Sequence, residues 1–327
     1  MRPPLLQSLW QRYRDLVYLG TSPVVEPLLD AATLDELQQR AQSSPRPLRA
    51  PQKVSSHMLI GEHLSRFRGR GFEFEENRSY QTGDEPRLIN WRLYARTGDL
   101  YTKVFNEERR PEVYLVADLR AGMRFGTRIQ LKAALVAKII ASTAFQAQRQ
   151  ALAVGGIIID ETINWFSPTT ANATSLDFLH TLALPCPPLA FDSPQPDLNT
   201  VFSTLLDRIP QGSYILCASD FSDLDPNSSA SLLHQLNQHN DVEALMIRDP
   251  SEASIEAHGT LLLDDPDSDA PIRIDTGNPE LHTLFEQAAS KRKTQIADIF
   301  RMAGIPLTYC NTGDEIEDCL DRLHGHR

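Results

Sequence analysis

The feature that most constrains the fold is an apolar run at positions 113–118, which is unbroken until it ends in Asp118. A strand with one solvent-facing side alternates apolar and polar residues, whereas a parallel strand covered on both faces is apolar throughout. Further strand-like runs lie at 152–159, 214–218, 242–247 and 306–310, and helical patterns lie at 199–208, 228–237, 279–302 and 314–323. This alternation predicts an α/β fold with a doubly wound, mostly parallel sheet.

Two local patterns add detail to the predicted sheet. Asp160 and Glu161 separate the run 152–159 from residues 162–166, which predicts a hairpin whose second strand is antiparallel and near an edge. Residues 127–130 have the spacing of a capping box, so we expect the following helix to begin at Thr127 and to continue through residue 147. Because this helix is apolar on most sides, it should lie against the sheet.

The N-terminal part of the chain has a different character. Helical patterns lie around residues 5–17 and after Thr33, where residues 33–36 again have capping-box spacing. Pro45, Pro47 and Pro51 then predict an extended linker. Since 327 residues are more than one typical domain needs, we expect a helical extension and linker at 1–50, a second module at 51–110 and the main α/β domain at 111–327.

The charge of the chain restricts its partners. A net charge of -11 argues against duplex DNA, because an acidic protein repels phosphate. Arginine and lysine are nevertheless concentrated between residues 66 and 110, where acids are interleaved with them. Internal ion pairs are the favoured interpretation of this region. A surface that binds phosphate or single-stranded nucleic acid is the alternative.

Cysteine usage and hydropathy indicate a compartment. The four cysteines, Cys186, Cys217, Cys310 and Cys319, lack the paired spacing of zinc sites, and two of them lie in apolar strand-like runs where free buried thiols are common. No apolar stretch has the length of a membrane span or the arrangement of a signal peptide. The sequence therefore predicts a cytoplasmic protein without an integral membrane segment.

The region between residues 69 and 105, called the signature below, carries the densest set of distinctive residues. In order they are Arg78, Tyr80, Gly83, Asp84, Arg87, Asn90, Trp91, Arg96 and Lys103. Arginines, acids and a tryptophan at this spacing fit neither an amphipathic helix nor an alternating strand, so side-chain hydrogen bonds should hold the shape. Gly83 and Asp84 predict a turn. Arg87 and Arg96 are long enough to reach Asp84 or the acidic pair at 75–76.

Two roles are open for the signature. In the first, its ion pairs attach the module to the sheet, and Trp91 packs beneath them and supplies apolar area, which is the preferred prediction for Trp91. In the second, the signature is a surface presented to a partner protein, because arginine and tyrosine are favoured at the energetic centres of interfaces. The anchors of that surface would be Arg78, Tyr80, Arg87 and Arg92.

On these residues the chain resembles the bacterial domain-of-unknown-function 58 family, whose members carry this signature directly ahead of a von Willebrand factor A-like domain. The resemblance resumes at residues 113–126 and 249–252, and it covers roughly residue 69 to the C-terminus. It implies that the sheet is of the von Willebrand factor A (Rossmann-like) type. Asn90 is a departure, because the family usually has aspartate there, and this removes one charge pair with a nearby arginine.

The resemblance also points to a site at the sheet. Ligands of doubly wound sheets bind beyond the carboxyl ends of the strands, where Asp118 and Asp220 are expected. In von Willebrand factor A domains this edge holds a divalent cation through Asp-x-Ser-x-Ser, a threonine and a further aspartate, since Mg²⁺ prefers oxygen ligands. Here Arg120 and Gly122 replace both serines, and we expect the Arg120 guanidinium to form a salt bridge with Asp118. The resemblance thus implies a degenerate metal-ion-dependent adhesion site. If Mg²⁺ does bind, Asp118 and Asp220 are the ligands to test.

The function predicted from the sequence is that of a noncatalytic interaction or adaptor protein without a cofactor. The chain has no phosphate-binding glycine motif, no metalloprotease histidine spacing and no nucleophile elbow. The resemblance implies a MoxR-type AAA+ ATPase as partner, with a client protein whose assembly or maturation the pair would assist. The first alternative is a divalent-metal-dependent enzyme or adhesion-type binding domain that uses Asp118 and Asp220.

Overall fold

The computed structural model describes residues 27–43, 48, 72–84, 86–107, 112–127, 129–170, 172–187, 189, 193–254, 259–263 and 272–325. The chain divides into two compact units, a larger one of residues 1–53 and 112–327 and a smaller one of residues 54–111. The helix predicted around residues 5–17 and the proline linker lie outside the described residues. The division into 1–50, 51–110 and 111–327 stays a prediction.

The described helices and strands follow one another along the chain as the alternation in the sequence indicates. The helices are α1 (Ala31–Ser43), α2 (Trp91–Thr97), α3 (Lys132–Arg149), α4 (Asn172–Ala183), α5 (Leu198–Arg208), α6 (Ser229–His239), α7 (Pro279–Ala303) and α8 (Ile316–Leu323). The strands are β1 (Phe72–Ser79), β2 (Tyr101–Glu107), β3 (Glu112–Asp118), β4 (Ala153–Ile159), β5 (Ile163–Thr169), β6 (Tyr214–Ser219), β7 (Asp241–Arg248), β8 (Thr260–Leu263), β9 (Ile272–Asp275) and β10 (Leu307–Asn311).

The smaller unit contains the signature. Strands β1 and β2 pair in antiparallel fashion, with Ser79 opposite Tyr101. A 3-10 turn, Pro86–Leu88, and helix α2 lie between these strands in the chain. Helix α2 ends at Gly98, whose φ of 81° is a left-handed conformation that glycine adopts readily.

The larger unit is built on a six-stranded sheet with the order β10-β7-β6-β3-β4-β5. All neighbouring strands are parallel except β4 and β5, which form the antiparallel hairpin that the sequence predicts. The predicted α/β class with a mostly parallel sheet is confirmed. Strand β3 lies between β4 and β6, and it is buried from residue 113 to residue 118 because both of its faces are covered.

Helices cover both faces of this sheet, and alternate residues of β3 point to opposite cores. Leu115 belongs to a core that includes buried residues of α1, α3, α4 and α8. Val116 belongs to a second core that includes buried residues of α5, α6 and α7. At Gly156 the ring of Phe178 lies where a side chain would be, 2.1 Å from an added Cβ, so only glycine allows α4 this close to β4.

Two helices begin at other residues than predicted. Helix α3 begins at Lys132, because Thr127 does not cap it and its hydroxyl donates to Asp249 Oδ1 at 2.6 Å. Helix α1 begins at Ala31, and the backbone N–H of Thr33 donates to Asp30 Oδ1 at 2.7 Å. The capping-box predictions at 127–130 and 33–36 are therefore wrong. Both threonines are bonded to carboxylates that the local spacing did not reveal.

A membrane-spanning helix must be both long and apolar. None of the described helices meets both requirements. Helix α7 has 25 residues, yet charged side chains recur along it.

Candidate functional site

Two buried aspartates lie at the carboxyl edge of the sheet, where β3 and β6 are neighbours. Asp118 is the last residue of β3 and is 1% exposed, and Asp220 follows the last residue of β6 and is 5% exposed. Parallel strands end at the same edge, and Ala117 lies opposite Ala218 in the register. The structure thus brings the two aspartates singled out in the sequence to one edge.

Arg120 is bonded to two carboxylates at this edge. Its Nε and NH2 groups donate to Asp118 Oδ1 and Oδ2 at 3.0 and 2.8 Å, which is a bidentate pair. Its NH1 and NH2 groups also donate to Asp223 at 2.7 and 3.1 Å. Burial alone would lower the pKa of Arg120, but the charges and hydrogen bonds of Asp118 and Asp223 outweigh burial and raise it. The guanidinium is therefore a permanent cation beside Asp118.

Lys132 is the second cation of the edge. It is the first residue of α3, its side chain is fully buried, and its Nζ donates to Asp220 Oδ2 at 2.8 Å and to Glu252 Oε1 at 2.6 Å. A buried ammonium is tolerated only where carboxylates compensate its lost hydration. Lys132 therefore holds the carboxyl end of β6 to the 3-10 turn Pro250–Glu252.

These six residues form one group, called the charged edge cluster below: Asp118, Arg120, Lys132, Asp220, Asp223 and Glu252. Both oxygens of Asp118 are occupied, since Oδ2 also accepts a 2.6 Å hydrogen bond from the Ser219 hydroxyl. Both oxygens of Asp220 accept as well, Oδ1 from the backbone N–H of Ser222. A hard cation needs such oxygens as ligands. At this edge the oxygens of Asp118 and Asp220 are already bonded to Arg120 and Lys132. Each of these two cations pairs with two carboxylates.

Asp249 joins the segments around the cluster. Its carboxylate accepts from Thr127, from Ser251 and from the hydroxyl of Thr312 at 2.8 Å. Together with Glu252 it forms a capping box at the turn after β7. Burial raises the pKa of Asp249, but these hydrogen bonds outweigh burial and hold the pKa below its usual value. The carboxylate is therefore ionised and fixes three loops that are distant in sequence.

In the smaller unit, Asp84 organises the signature turn. Its Oδ1 accepts from Arg78 NH2 at 2.6 Å, and its Oδ2 accepts from the Gln81 backbone N–H at 2.9 Å and from the Thr102 hydroxyl at 3.0 Å. The Gln81 bond is the main cause of a lowered pKa at Asp84, and the Arg78 and Thr102 bonds add to it. Gly83 precedes Asp84 with a φ of 111°, as a glycine-dependent turn requires.

Asp84 pairs with a different arginine from the two that the sequence predicts. Arg78 pairs with it, whereas Arg87 and Arg96 are exposed and form no ion pair with the residues that the structure describes. The prediction that Arg87 or Arg96 reaches Asp84 is therefore wrong, because Arg78, at the end of β1, occupies Asp84 Oδ1. The alternative, that they reach the acidic pair at 75–76, stays a prediction, because the side chains of that pair lie outside the described part of the chain.

Asn90 has a structural role in place of the expected aspartate. Its Oδ1 accepts from the backbone N–H of Leu93 and so caps α2, and its Nδ2 donates to Asn77 Oδ1 at 2.8 Å. An aspartate would cap the helix but could not donate to Asn77. The amide therefore joins α2 to β1 without a charge.

Trp91 lies on the outside of the molecule, so the preferred prediction of a packed Trp91 is wrong. Its side chain is 58% exposed, and that of Tyr94 is 42% exposed. The two rings meet edge to face with centroids 6.1 Å apart. Trp91 is the first residue of α2, and residues three apart on a helix share one side. An exposed aromatic pair therefore lies on α2.

Sequence reasoning missed Lys132, Asp223, Glu252 and the bonds of Asp249. Lys132 carried one signal, since it is a charge at the first position of a mainly apolar helix. Glu252 carried another, because residues 249–252 have capping-box spacing. No local pattern indicated that Lys132 would contact residues 88 and 120 positions away.

Comparisons with known proteins identify relatives. The family model described as Protein of unknown function DUF58 matches residues 76–295. Uncharacterized protein Rv1480 of Mycobacterium tuberculosis (strain ATCC 25618 / H37Rv) is 27% identical over 256 residues, which is 78% of this chain and 79% of the relative. Uncharacterized protein Mb1516 of Mycobacterium bovis has the same identity and coverage.

Two solved structures with partial likeness come from Bacteroides species. An aerotolerance-related membrane protein from Bacteroides fragilis NCTC 9343, with multiple mutations to serines, has a TM-score of 0.39 and 9% identity over 66% of this chain and 100% of that chain. The conserved hypothetical protein BatB from Bacteroides thetaiotaomicron has a TM-score of 0.34 and 14% identity over 59% of this chain and 99% of that chain.

Proposed function

This chain belongs to the DUF58 family, and we propose that it is a noncatalytic protein-interaction protein whose partner contacts the exposed side of α2. The observation that carries the proposal is the pair Trp91 and Tyr94, two large aromatic side chains left in solvent within the signature. Tryptophan and tyrosine are the residue types most enriched at the energetic centres of protein interfaces. Exposing both of them on one short helix is unfavourable unless something covers them.

Exposed arginines surround this aromatic pair. Arg92 and Arg96 lie on α2 four residues apart, and Arg87 lies in the turn before it. All three are exposed and without an ion pair to the described part of the chain. Guanidinium groups in this state are available to a carboxylate of another protein. The partner surface should therefore combine an apolar patch with acidic residues.

The charged edge cluster supports the noncatalytic part of the proposal. Metal-dependent chemistry needs carboxylate oxygens that are free to coordinate, whereas those of Asp118 and Asp220 already accept hydrogen bonds from cations and neutral donors. The Nζ of Lys132 is likewise fully buried and bonded to the carboxylates of Asp220 and Glu252, so it is not presented to a substrate. The charged edge cluster accordingly stabilises the carboxyl edge of the sheet by joining the ends of β3 and β6 to neighbouring segments.

The sheet of the larger unit is proposed to be of the von Willebrand factor A type. The order β5-β4-β3-β6-β7-β10, with an antiparallel β5 at one edge, supports this assignment. The proposed partner is a MoxR-type AAA+ ATPase, as the family resemblance implies, and a cytoplasmic location goes with that partner. In this scheme the chain recruits a client protein and the ATPase supplies the work.

A binding measurement with matched variants tests the interaction. Purified MoxR-type ATPase from the same organism should bind the immobilised wild-type chain, and the double variant Trp91→Ala with Tyr94→Ala should weaken the affinity by about 30-fold or more, which corresponds to about 2 kcal/mol. The control is Met302→Ala, which removes an exposed apolar side chain from α7 and should leave the affinity unchanged. Equal affinities for all three chains would contradict the proposal.

Calorimetry separates the competing functions. The wild-type chain should give no binding heat with Mg²⁺ or Mn²⁺ at the charged edge cluster. Tight binding that disappears in Asp118→Ala would favour a metal-dependent enzyme or adhesion site instead. Affinity for single-stranded nucleic acid that falls steeply with added salt would favour the arginine-rich signature as a phosphate-binding surface.

A further inference from the structure

A second group of ligand-type side chains lies at the C-terminal end of the larger unit. Cys310 is in β10, Asp314 is in the following turn and Cys319 is in α8. One ligand atom of each residue, the two Sγ atoms and a carboxylate oxygen, lies within 4.8 Å of the other two. Both cysteines are fully buried, and the Asp314 side chain is 22% exposed. We propose that Cys310, Asp314 and Cys319 bind a thiophilic divalent cation of the Zn²⁺ class.

The distances fit that class of ion. In a tetrahedral zinc site the metal–sulfur distance is about 2.3 Å and the metal–oxygen distance about 2.0–2.2 Å, so ligand atoms are separated by about 3.5–3.8 Å. The spread of up to 4.8 Å in this cluster needs only a small contraction around an ion. Two sulfur ligands select zinc-like cations over Mg²⁺ and Ca²⁺, which prefer oxygen. The fourth position would be filled by water from the partly exposed side of Asp314.

The surroundings hold Asp314 in a ligating orientation. Arg322 NH2 donates to Asp314 Oδ2 at 2.8 Å, and the Asn311 backbone N–H donates to the same oxygen at 3.0 Å. A carboxylate that is held on one oxygen is oriented to coordinate through the other. Arg322 also donates to the Tyr309 carbonyl at 2.6 Å, which fixes the guanidinium beside the site.

The charges of the proposed site also balance. A divalent ion on two thiolates and one carboxylate leaves one negative charge, and Arg322 supplies one positive charge next to it. The turn itself is held in place, because the Thr312 hydroxyl donates to Asp249 Oδ2 at 2.8 Å. The spacing Cys-x3-Asp-x4-Cys is unlike the paired cysteine spacing of zinc fingers, and for this reason no zinc site was predicted from the sequence.

Cobalt is a suitable probe, since Co²⁺ occupies zinc sites and absorbs in the near ultraviolet when thiolates bind it. The reduced wild-type chain should bind one Co²⁺ with thiolate-to-cobalt absorption, and Zn²⁺ should displace it. Cys319→Ala should abolish this absorption, and Asp314→Asn should weaken binding by about tenfold or more. The matched control is Cys217→Ala, which removes a buried thiol from β6 and should leave the absorption unchanged.

Several results would overturn the proposal. The first is the absence of thiolate absorption when Co²⁺ is added to reduced, folded wild-type protein. The second is an unchanged absorption in Cys319→Ala. The third is a disulfide between Cys310 and Cys319 that forms in air even with excess Zn²⁺. Should an alanine variant fail to fold, thermal melts decide the question, since an ion that binds the folded chain raises its thermal midpoint. Zn²⁺ should raise the midpoint of the wild-type chain and should raise that of Asp314→Asn less, whereas an unchanged wild-type midpoint would contradict the proposal.

Discussion

The charged edge cluster of the larger unit and the signature helix α2 of the smaller unit both carry arginine, yet they use it in opposite ways. At the edge, Arg120 is buried between Asp118 and Asp223. On α2, Arg92 and Arg96 are exposed beside an exposed aromatic pair. Buried pairs hold a fold together, because breaking them leaves an uncompensated charge. Exposed groups contribute little to folding and remain available for binding.

This difference assigns separate roles to regions that look alike in composition. The charged edge cluster lies where ligands bind in a doubly wound sheet, but its side chains form ion pairs with one another. The signature has the composition of an ion-pair network, but only Arg78 and Asp84 form such a pair among its described residues. The burial and ion pairing of each side chain therefore separate the two regions better than their location and composition do. Substitutions in both regions test this conclusion.

The largest expected effect is that of Lys132→Met. Removing the ammonium takes from the buried Asp220 and Glu252 the cation that both carboxylates bind, so we expect the free energy of unfolding to fall by about 3 kcal/mol. Guanidinium chloride denaturation measures it. Lys138→Met, which loses a hydrogen bond to Gln130 and an electrostatic attraction to Asp30, should cost about 1 kcal/mol. Adding Asp220→Asn and Glu252→Gln to Lys132→Met should restore much of the lost stability. If Lys132→Met alone unfolded at the wild-type midpoint, the buried ion pairs of the edge would not stabilise the fold.

Arg120→Met should give the next largest effect. Asp118 would keep only the Ser219 hydroxyl and a backbone N–H as partners, and we expect a loss of about 3 kcal/mol in the same denaturation experiment. Arg120→Lys keeps the charge but cannot form the bidentate contact, so it should be intermediate. If the lysine and methionine variants were equally stable, charge would not be what holds this edge.

Asp84→Asn should lower the thermal midpoint by a smaller amount, and the effect should depend on pH. The pKa of Asp84 is lowered in the folded chain, so its contribution is fully present above the unfolded carboxyl pKa of about 4. It is lost as the pH falls through the lower folded pKa. Thermal melts should therefore separate the two chains at pH 7 and bring them together near pH 2. A pH-independent difference would mean that the charge of Asp84 is not involved.

The smallest effect on stability is expected for Trp91→Ala with Tyr94→Ala. Both side chains are largely in solvent, so denaturation should give a change within about 0.5 kcal/mol per substitution. The same double variant should bind the partner more weakly. Lost binding with unchanged stability is the result expected of a docking surface and not of a packed helix. A large loss of stability would instead place Trp91 in a core.

The strands and most helices of the larger unit were predictable, because periodicity and apolar runs report burial directly. Helix starts were less predictable. Thr127 has the right spacing for a cap, but the carboxylate of Asp249, 122 residues away, binds it instead. Competition from a distant partner leaves no trace in a local pattern. The pairing of Asp84 with Arg78 was hidden for a different reason, because Arg78, Arg87 and Arg96 all lie within 12 residues of Asp84 and spacing alone does not choose between them.

By itself the sequence determined the α/β class with a mostly parallel sheet, since each strand and helix shows its burial in a local pattern. It also determined the contact between Asp118 and Arg120, which are two residues apart. Only the tertiary structure decided that Lys132 lies between Asp220 and Glu252, that Asp223 shares Arg120, and that Trp91 stays in solvent. Contacts such as that between Arg120 and Asp223 join residues 103 positions apart. Such pairs are set by strand order and helix packing, which bring distant carboxylates within reach of one cation.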